Sequence, residues 1–206
     1  MAPERVTGFV RRSMYQSMRS MLARTLRSLT TASLGADDQA VAESVLAREA
    51  ELEARFREVL DLEVAGMRVR TSGDVHLGQL LLAGDDLLIV DFDGAMDRPI
   101  DERQLKDSPL GALADLLYSV RYLEMEAGAA PAWGEAVRAA LTEGYLEAEE
   151  VGTLIPRSAS DRDRLLGALV LAQALWQVGY RLRRQHEGIG IALRVVADLL
   201  GTAAAA

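Results

Sequence analysis

Two runs decide how this chain is read: Ser72-Gly73-Asp74-Val75-His76-Leu77-Gly78-Gln79 and, shortly after it, Ile89-Val90-Asp91-Phe92-Asp93-Gly94. Between them lie Leu80-Leu81-Leu82, a turn at Ala83-Gly84-Asp85-Asp86, and Leu87-Leu88-Ile89-Val90, which together predict a β-hairpin over 80–92. A hairpin there returns the chain so that Asp91 can face Gln79, with Asp74 on the loop before the first strand. Three oxygen-bearing side chains then converge. Such a set suits magnesium, a hard cation that keeps several waters and takes its other ligands from substrate phosphates. Gly-Asp and Asp-Gly pairs are also ordinary turn punctuation, and an Asp-x-x-x-x-Gln spacing alone carries little. The weight rests on the whole order of features within about two dozen residues.

On both sides of the hairpin the periodicity is helical, and the hairpin is the only convincing strand signal. A helix is predicted from about Phe9 to Leu29, a loop over Thr30 to Gly35, and a second helix from an Asp37-Asp38 cap, with Val41, Val45, Leu52, Phe56 and Val59 on one face. Ser108-Pro109 opens a helix to about Glu126, Pro131 another to about Glu149, and Ser160-Asp161 a long one to about Arg184. A last helix ends near Leu200, and the alanines after it form a short tail. Residues 1–206 read as one domain, with a basic helix and loop at 1–35 and a flexible tail at 201–206. The fold class expected is mainly α (α+β) with one central β-hairpin.

Composition narrows the function classes. Half of the 206 residues are hydrophobic, enough for one well-buried domain. No cysteine is present, which excludes disulfides, thiolate metal sites and cysteine nucleophiles. A reducing cytoplasm is compatible with that. A net charge of −8 argues against nucleic acid as a partner. The apolar run Leu165 to Tyr180 contains two glutamines and is shorter than the roughly 20 residues that cross a bilayer, so it reads as a buried helix. The arginines of the first helix alternate with Met14, Met18, Met21, Leu22 and Leu26 at helical spacing, which predicts a solvated helix with one buried face.

Phosphoryl transfer needs a carboxylate to orient or deprotonate the attacking hydroxyl, and oxygen ligands for the metal that holds the nucleotide phosphates. In the kinase arrangement an Asp is followed five positions later by an amide metal ligand, and a second metal-binding Asp opens an Asp-Phe-Gly-like turn. Asp74, Gln79 and Asp91 follow that order. Residues 72–79 resemble the His-Gly-Asp-Tyr-His-Leu-Gly-Gln catalytic loop of maltokinases, relatives of aminoglycoside phosphotransferases. Gln79 is the telling position, since most of the wider superfamily has Asn there. Further likeness runs through Met14-Tyr15-Gln16-Ser17-Met18-Arg19, as in maltokinases fused to trehalose synthase, and through Arg98-Pro99 and Ser108-Pro109-Leu110.

The resemblance implies a protein-kinase-like C-terminal lobe, with Asp74 as catalytic base, Gln79 and Asp91 as magnesium ligands, and His76 and Asp93 near the substrate. It implies ATP as donor and a small sugar as acceptor, maltose giving maltose 1-phosphate. Asp91-Phe92-Asp93-Gly94 also resembles glucosamine kinases of the same broader group. The chain departs from the pattern at Ser72, where the family has His, at Asp93-Gly94-Ala95-Met96 in place of Glu-Gly-Glu-Pro, and at Gly111-Ala112 in place of Arg-Asp. The only lysine is Lys106, and no glycine-rich strand turn precedes Asp74. The expectation is therefore a lobe whose ATP-gripping N-terminal lobe is absent, completed by a missing segment or a trehalose synthase-type partner. A non-catalytic binding module of the same fold is the alternative. Trp133 and Trp176 are expected in the core, and His186 near a helix end.

Overall fold

The computed structural model describes residues 2–63, 66–71, 73, 75–84, 86–91, 105–184 and 187–202. Helix α1 (Gly8–Thr30) starts where Thr7 accepts a hydrogen bond from the Val10 amide and buries Tyr15, Met18, Leu22, Thr25, Leu26 and Leu29. That spacing puts one stripe inward and leaves the arginines in solvent. Arg11 is an exception: its guanidinium donates to the carbonyls of Leu60 and Leu62, which pins the end of the following segment to α1.

The single second helix expected from the sequence is two. Helix α2 (Ala36–Leu46) and helix α3 (Glu49–Arg57) are separated at Ala47–Arg48, and a 3-10 turn follows over Glu58–Asp61. Asp37 and Asp38 lie in the first turn of α2, while Gly35 occupies the cap position. Neither Gly nor Pro marks the break. Its cause is tertiary: α2 packs on the last helix, α3 packs on α1, and Arg48 at the corner donates both to Glu51 and to the Leu200 carbonyl. The charged pairs Arg48–Glu51 and Arg57–Glu53 lie on the outer faces, as expected of a solvated surface.

Helix α4 (Leu110–Ala127), helix α5 (Pro131–Glu147), helix α6 (Ala159–Arg184) and helix α7 (Ile189–Thr202) complete the described helices. At the start of α4 the Ser108 hydroxyl accepts from the Leu110 amide at 3.3 Å. Gly128, in the left-handed region at φ 60, ends the helix. α6 is the central element, packed on α1, α4 and α7. Its 26 residues make it, among the described residues, the one helix long and apolar enough to cross a membrane, longer than the run read from the sequence. Leu165, Ala174, Leu175 and Val178 of that helix are nonetheless buried in the protein core. Each fully buried leucine contributes about 1.5–3 kcal/mol relative to exposure. Where α6 crosses α1, Gly179 allows the close approach: a Cβ there would lie 2.8 Å from Thr25 Oγ1.

The expected hairpin is present as β3 (Leu80–Ala83) and β4 (Asp86–Ile89), with Leu80 paired to Ile89 and Ala83 to Asp86. A second sheet was not anticipated. It orders β1 (Glu4–Arg5), β2 (Met67–Arg70) and β5 (Lys106–Asp107) antiparallel as β1-β2-β5. Two of its strands have two residues each, too short for any alternation to register. Strand β2 is seated by Gly66, whose φ of +78 and bare Cα let the chain pass against the 151–155 turn, so that the Met67 amide reaches the Leu154 carbonyl at 2.7 Å. An added Cβ would stand 2.5 Å from that carbonyl oxygen.

Two predictions follow from these contacts. Gly66→Ala combines a forbidden φ with a backbone clash, and urea unfolding should show a loss of about 1–3 kcal/mol. The hairpin exposes Leu81 (52%), Leu82 (75%), Leu87 (62%) and Leu88 (52%), unusual for leucines in a folded lobe. Binding of a hydrophobic dye should fall severalfold in Leu82→Lys with Leu87→Glu, a cross-strand pair of opposite charge, and stability should change little.

Candidate functional site

The site residues named from the sequence are placed unequally. Asp74, Asp93 and Ser72 lie outside the described residues, as does His186. Gly73 and Val75, the neighbours of Asp74, are described: Gly73 has φ 70 and faces a cleft, and Val75 is buried. After them His76 caps a 3-10 turn (Leu77–Gln79), its Nδ1 accepting from the Gly78 amide at 3.1 Å. An accepting Nδ1 leaves the ring proton on Nε2. The turn is tied to α4 by a hydrogen bond from the Leu77 amide to Ser119 Oγ at 3.1 Å.

Gln79 ends this turn and begins β3. Its side chain is 7% exposed, and its Oε1 is buried without a hydrogen-bond partner among the described residues. An unsatisfied buried carbonyl oxygen costs about 1–3 kcal/mol and calls for a ligand. Across the hairpin the Val90 amide donates to the Gln79 carbonyl at 2.9 Å, which brings Asp91, the next residue, beside the same rung. Asp91 is solvent-exposed and is the one described non-glycine residue with positive φ, 63. A carboxylate held in the left-handed region costs conformational energy, of order 1–3 kcal/mol, that the surrounding structure must offset. A neutral amide oxygen and a carboxylate are donors of the kind magnesium takes, so the residues present fit such an ion.

The cleft has a volume of about 1090 Å³ and is walled by α1, α4 and α6, with Gly73 at its edge. From α1 come Ser13, Gln16 and Ser17, and from α6 come Gln173 and Trp176. The floor is mixed apolar and hydroxylic, a lining suited to a small polar molecule. Gly111 and Ala112 also line it, and a Cβ on Gly111 would meet nothing within 4 Å. Trp176 is only half-buried and stacks on Tyr180 with ring centroids 5.3 Å apart, while Trp133 is 42% exposed. Neither is the core residue expected. The signal for Trp176 lay in the sequence: Gln173 and Trp176 are one helical turn apart on a stripe otherwise apolar.

A charged cluster closes one rim of the cleft. The Lys106 ammonium donates to Glu4 Oε1 at 2.5 Å and Arg68 Nη2 donates to Glu4 Oε2 at 3.0 Å. These two cations, Lys106 first, hold the Glu4 carboxyl below the usual carboxylate range.

This arrangement can be set against known structures. Aligned with a glucosamine kinase in complex with glucosamine, ADP and inorganic phosphate, the chain gives a TM-score of 0.79 at 22% identity, over 98% of this chain and 49% of that one. The lobe has a kinase-like fold. Two further crystal forms of glucosamine kinase give TM-scores of 0.78 at 22% identity, again over nearly all of this chain and 48% of theirs. The chain therefore spans about half the length of the structures it matches. No protein-family model matches it.

If Gln79 Oε1 is kept for a ligand, the fold gains nothing from it. Gln79→Met, similar in length and without the orphan oxygen, should leave the free energy of unfolding within about 1 kcal/mol of the parent, or above it. A thermal melt reads this directly.

Proposed function

We propose that the lobe is the metal-and-acceptor half of an ATP-dependent sugar phosphotransferase. The observation that carries the reading is the buried Oε1 of Gln79, unpartnered among the described residues, on one hairpin with Asp91 inside a kinase-like fold. In this reading Asp74 accepts the proton of the acceptor hydroxyl as its oxygen attacks the γ-phosphorus of ATP, and ADP leaves. Gln79 and Asp91 hold magnesium, which neutralises the phosphate charge when bound. His76 fixes the turn that presents Gln79, and Asp93, on the run after Asp91, is assigned to the substrate side. The sugar lies in the cleft, where Trp176 offers an aromatic face and Gln173 a hydrogen-bonding amide.

Two acceptors are in play. The loop over 72–79 resembles that of maltokinases and favours maltose, whereas the structural neighbours are glucosamine kinases and favour glucosamine. The remaining phosphate-gripping groups, a glycine-rich loop and its lysine, are assigned to polypeptide other than these 206 residues, in line with the doubled length of the neighbours. Residues 1–206 act as one unit, in the cytoplasm. The exposed apolar hairpin favours a second reading, a lobe kept for binding.

Magnesium-dependent ATP binding, read by calorimetry, separates the two. The parent chain should bind, and Asp91→Ala, which removes a charged metal ligand, should lose about tenfold in affinity, equivalent to about 1.4 kcal/mol. A screen of maltose against glucosamine with labelled ATP then assigns the acceptor, and Asp74→Asn should abolish turnover. Absence of ATP binding in the parent favours a lobe that needs the other polypeptide to hold nucleotide, or one retired to binding.

A further inference from the structure

The unexpected three-stranded sheet brings together one carboxylate and two cations from three distant segments at the cleft rim. Lys106 lies on β5, Arg68 on β2 and Glu4 on β1. Both cations line the same cleft as Gly73, which precedes Asp74. Lys106 is 15% exposed and Arg68 31%, so the sheet holds them as a fixed, partly desolvated pair. Arg68 Nε is buried with no hydrogen-bond partner among the described residues, which leaves an N–H of its guanidinium unspent. Lys106 also donates to the Ala2 carbonyl at 2.7 Å, and the adjacent Asp107 accepts from the Ser108 amide at 2.7 Å.

Glu4 differs from the groups it joins. It is 51% exposed, and β1 pairs with β2 through Glu4 opposite Arg68 and Arg5 opposite Met67, with the Val6 amide donating to the Gly66 carbonyl just beyond. Its two oxygens are shared between a lysine and an arginine, the geometry in which such a pair grips a phosphoryl group. The carboxylate thus stands where an anion of similar shape would bind, on a two-residue edge strand of the sheet.

We propose that Lys106 and Arg68 form a phosphoryl-binding pair at the cleft rim and that Glu4 is its internal competitor. A phosphoryl group, of the nucleotide or of the phosphorylated sugar, displaces Glu4 and releases β1 from β2. The ligand class rests on the phosphotransfer reading. The two-cation site itself does not.

Calorimetric titration with metal-free ADP and with maltose 1-phosphate, in chelator, tests the proposal on the parent chain, Glu4→Gln and Lys106→Met. Removing one exposed ion-pair competitor should tighten binding about three- to fivefold in Glu4→Gln for whichever ligand is the natural one. Lys106→Met should weaken it by at least as much, and Lys106→Arg, which keeps the charge, should bind as the parent does. The ligand that responds identifies the source of the phosphoryl group. Binding in Glu4→Gln no tighter than the parent for both ligands, or absent for both, overturns the proposal. Circular dichroism of each variant guards against misfolding, and Arg68→Met, which removes the other cation of the pair and should weaken binding likewise, stands in if Lys106→Met unfolds. Magnesium-ADP binding to Asp91→Ala is read separately: a loss there with no response to Glu4→Gln retains the metal site and rejects the competitor, and the converse pattern does the opposite.

Discussion

One main-chain hydrogen bond, from the Val90 amide to the Gln79 carbonyl at 2.9 Å, decides whether there is a site at all. It closes the base of the hairpin, and the pairs from Leu80–Ile89 to Ala83–Asp86 keep its register. A slip of one residue would replace Val90 opposite Gln79 by a neighbour and move Asp91 relative to Gln79, because the register fixes which residues stand across from each other. The hairpin has little else to hold it: its leucines are exposed, and a two-stranded sheet is marginal in water on its own. Its support comes from the 3-10 turn before it, tied to α4 through Ser119 and capped by His76.

Around that rung the protein departs from what stability alone would select. Gln79 buries an oxygen with no partner among the described residues, Asp91 takes a left-handed backbone suited to glycine, and the hairpin offers leucines to solvent. Such departures are costly elsewhere and cluster where function requires them. The helical body offsets them. Leu52, Phe56, Leu165 and Leu193 are fully buried, and α6 joins three other helices into one core. The body therefore acts as a frame that holds a strained, exposed edge in place.

Much of this was legible in the sequence, for a physical reason. Long amphipathic helices repeat their pattern often enough to be read, so α1, α4, α5 and α6 were placed with boundaries within a few residues, and the hairpin was marked by its Gly84 turn between leucine runs. The mainly helical, kinase-like fold class was anticipated as well. The break between α2 and α3 was not, because Arg48 turns the chain by reaching Leu200, a residue far away in sequence. Nor was the sheet of β1, β2 and β5, whose two-residue strands exist only because folding brings Glu4, Arg68 and Lys106 together. The cleft was invisible for the same reason: it is the gap among three helices, so the Gln173 and Trp176 stripe marked a break in the apolar face of α6 without showing what lies against it.

The central claim is that Gln79 keeps its buried oxygen for a metal that accompanies nucleotide phosphate. The most direct measurement is electron paramagnetic resonance of manganese, titrated with ADP present into the parent chain and into Gln79→Met. The account predicts that the parent takes up manganese in an ADP-dependent manner and that the equally stable variant does not. Equal uptake by both, or none by the parent, would contradict it.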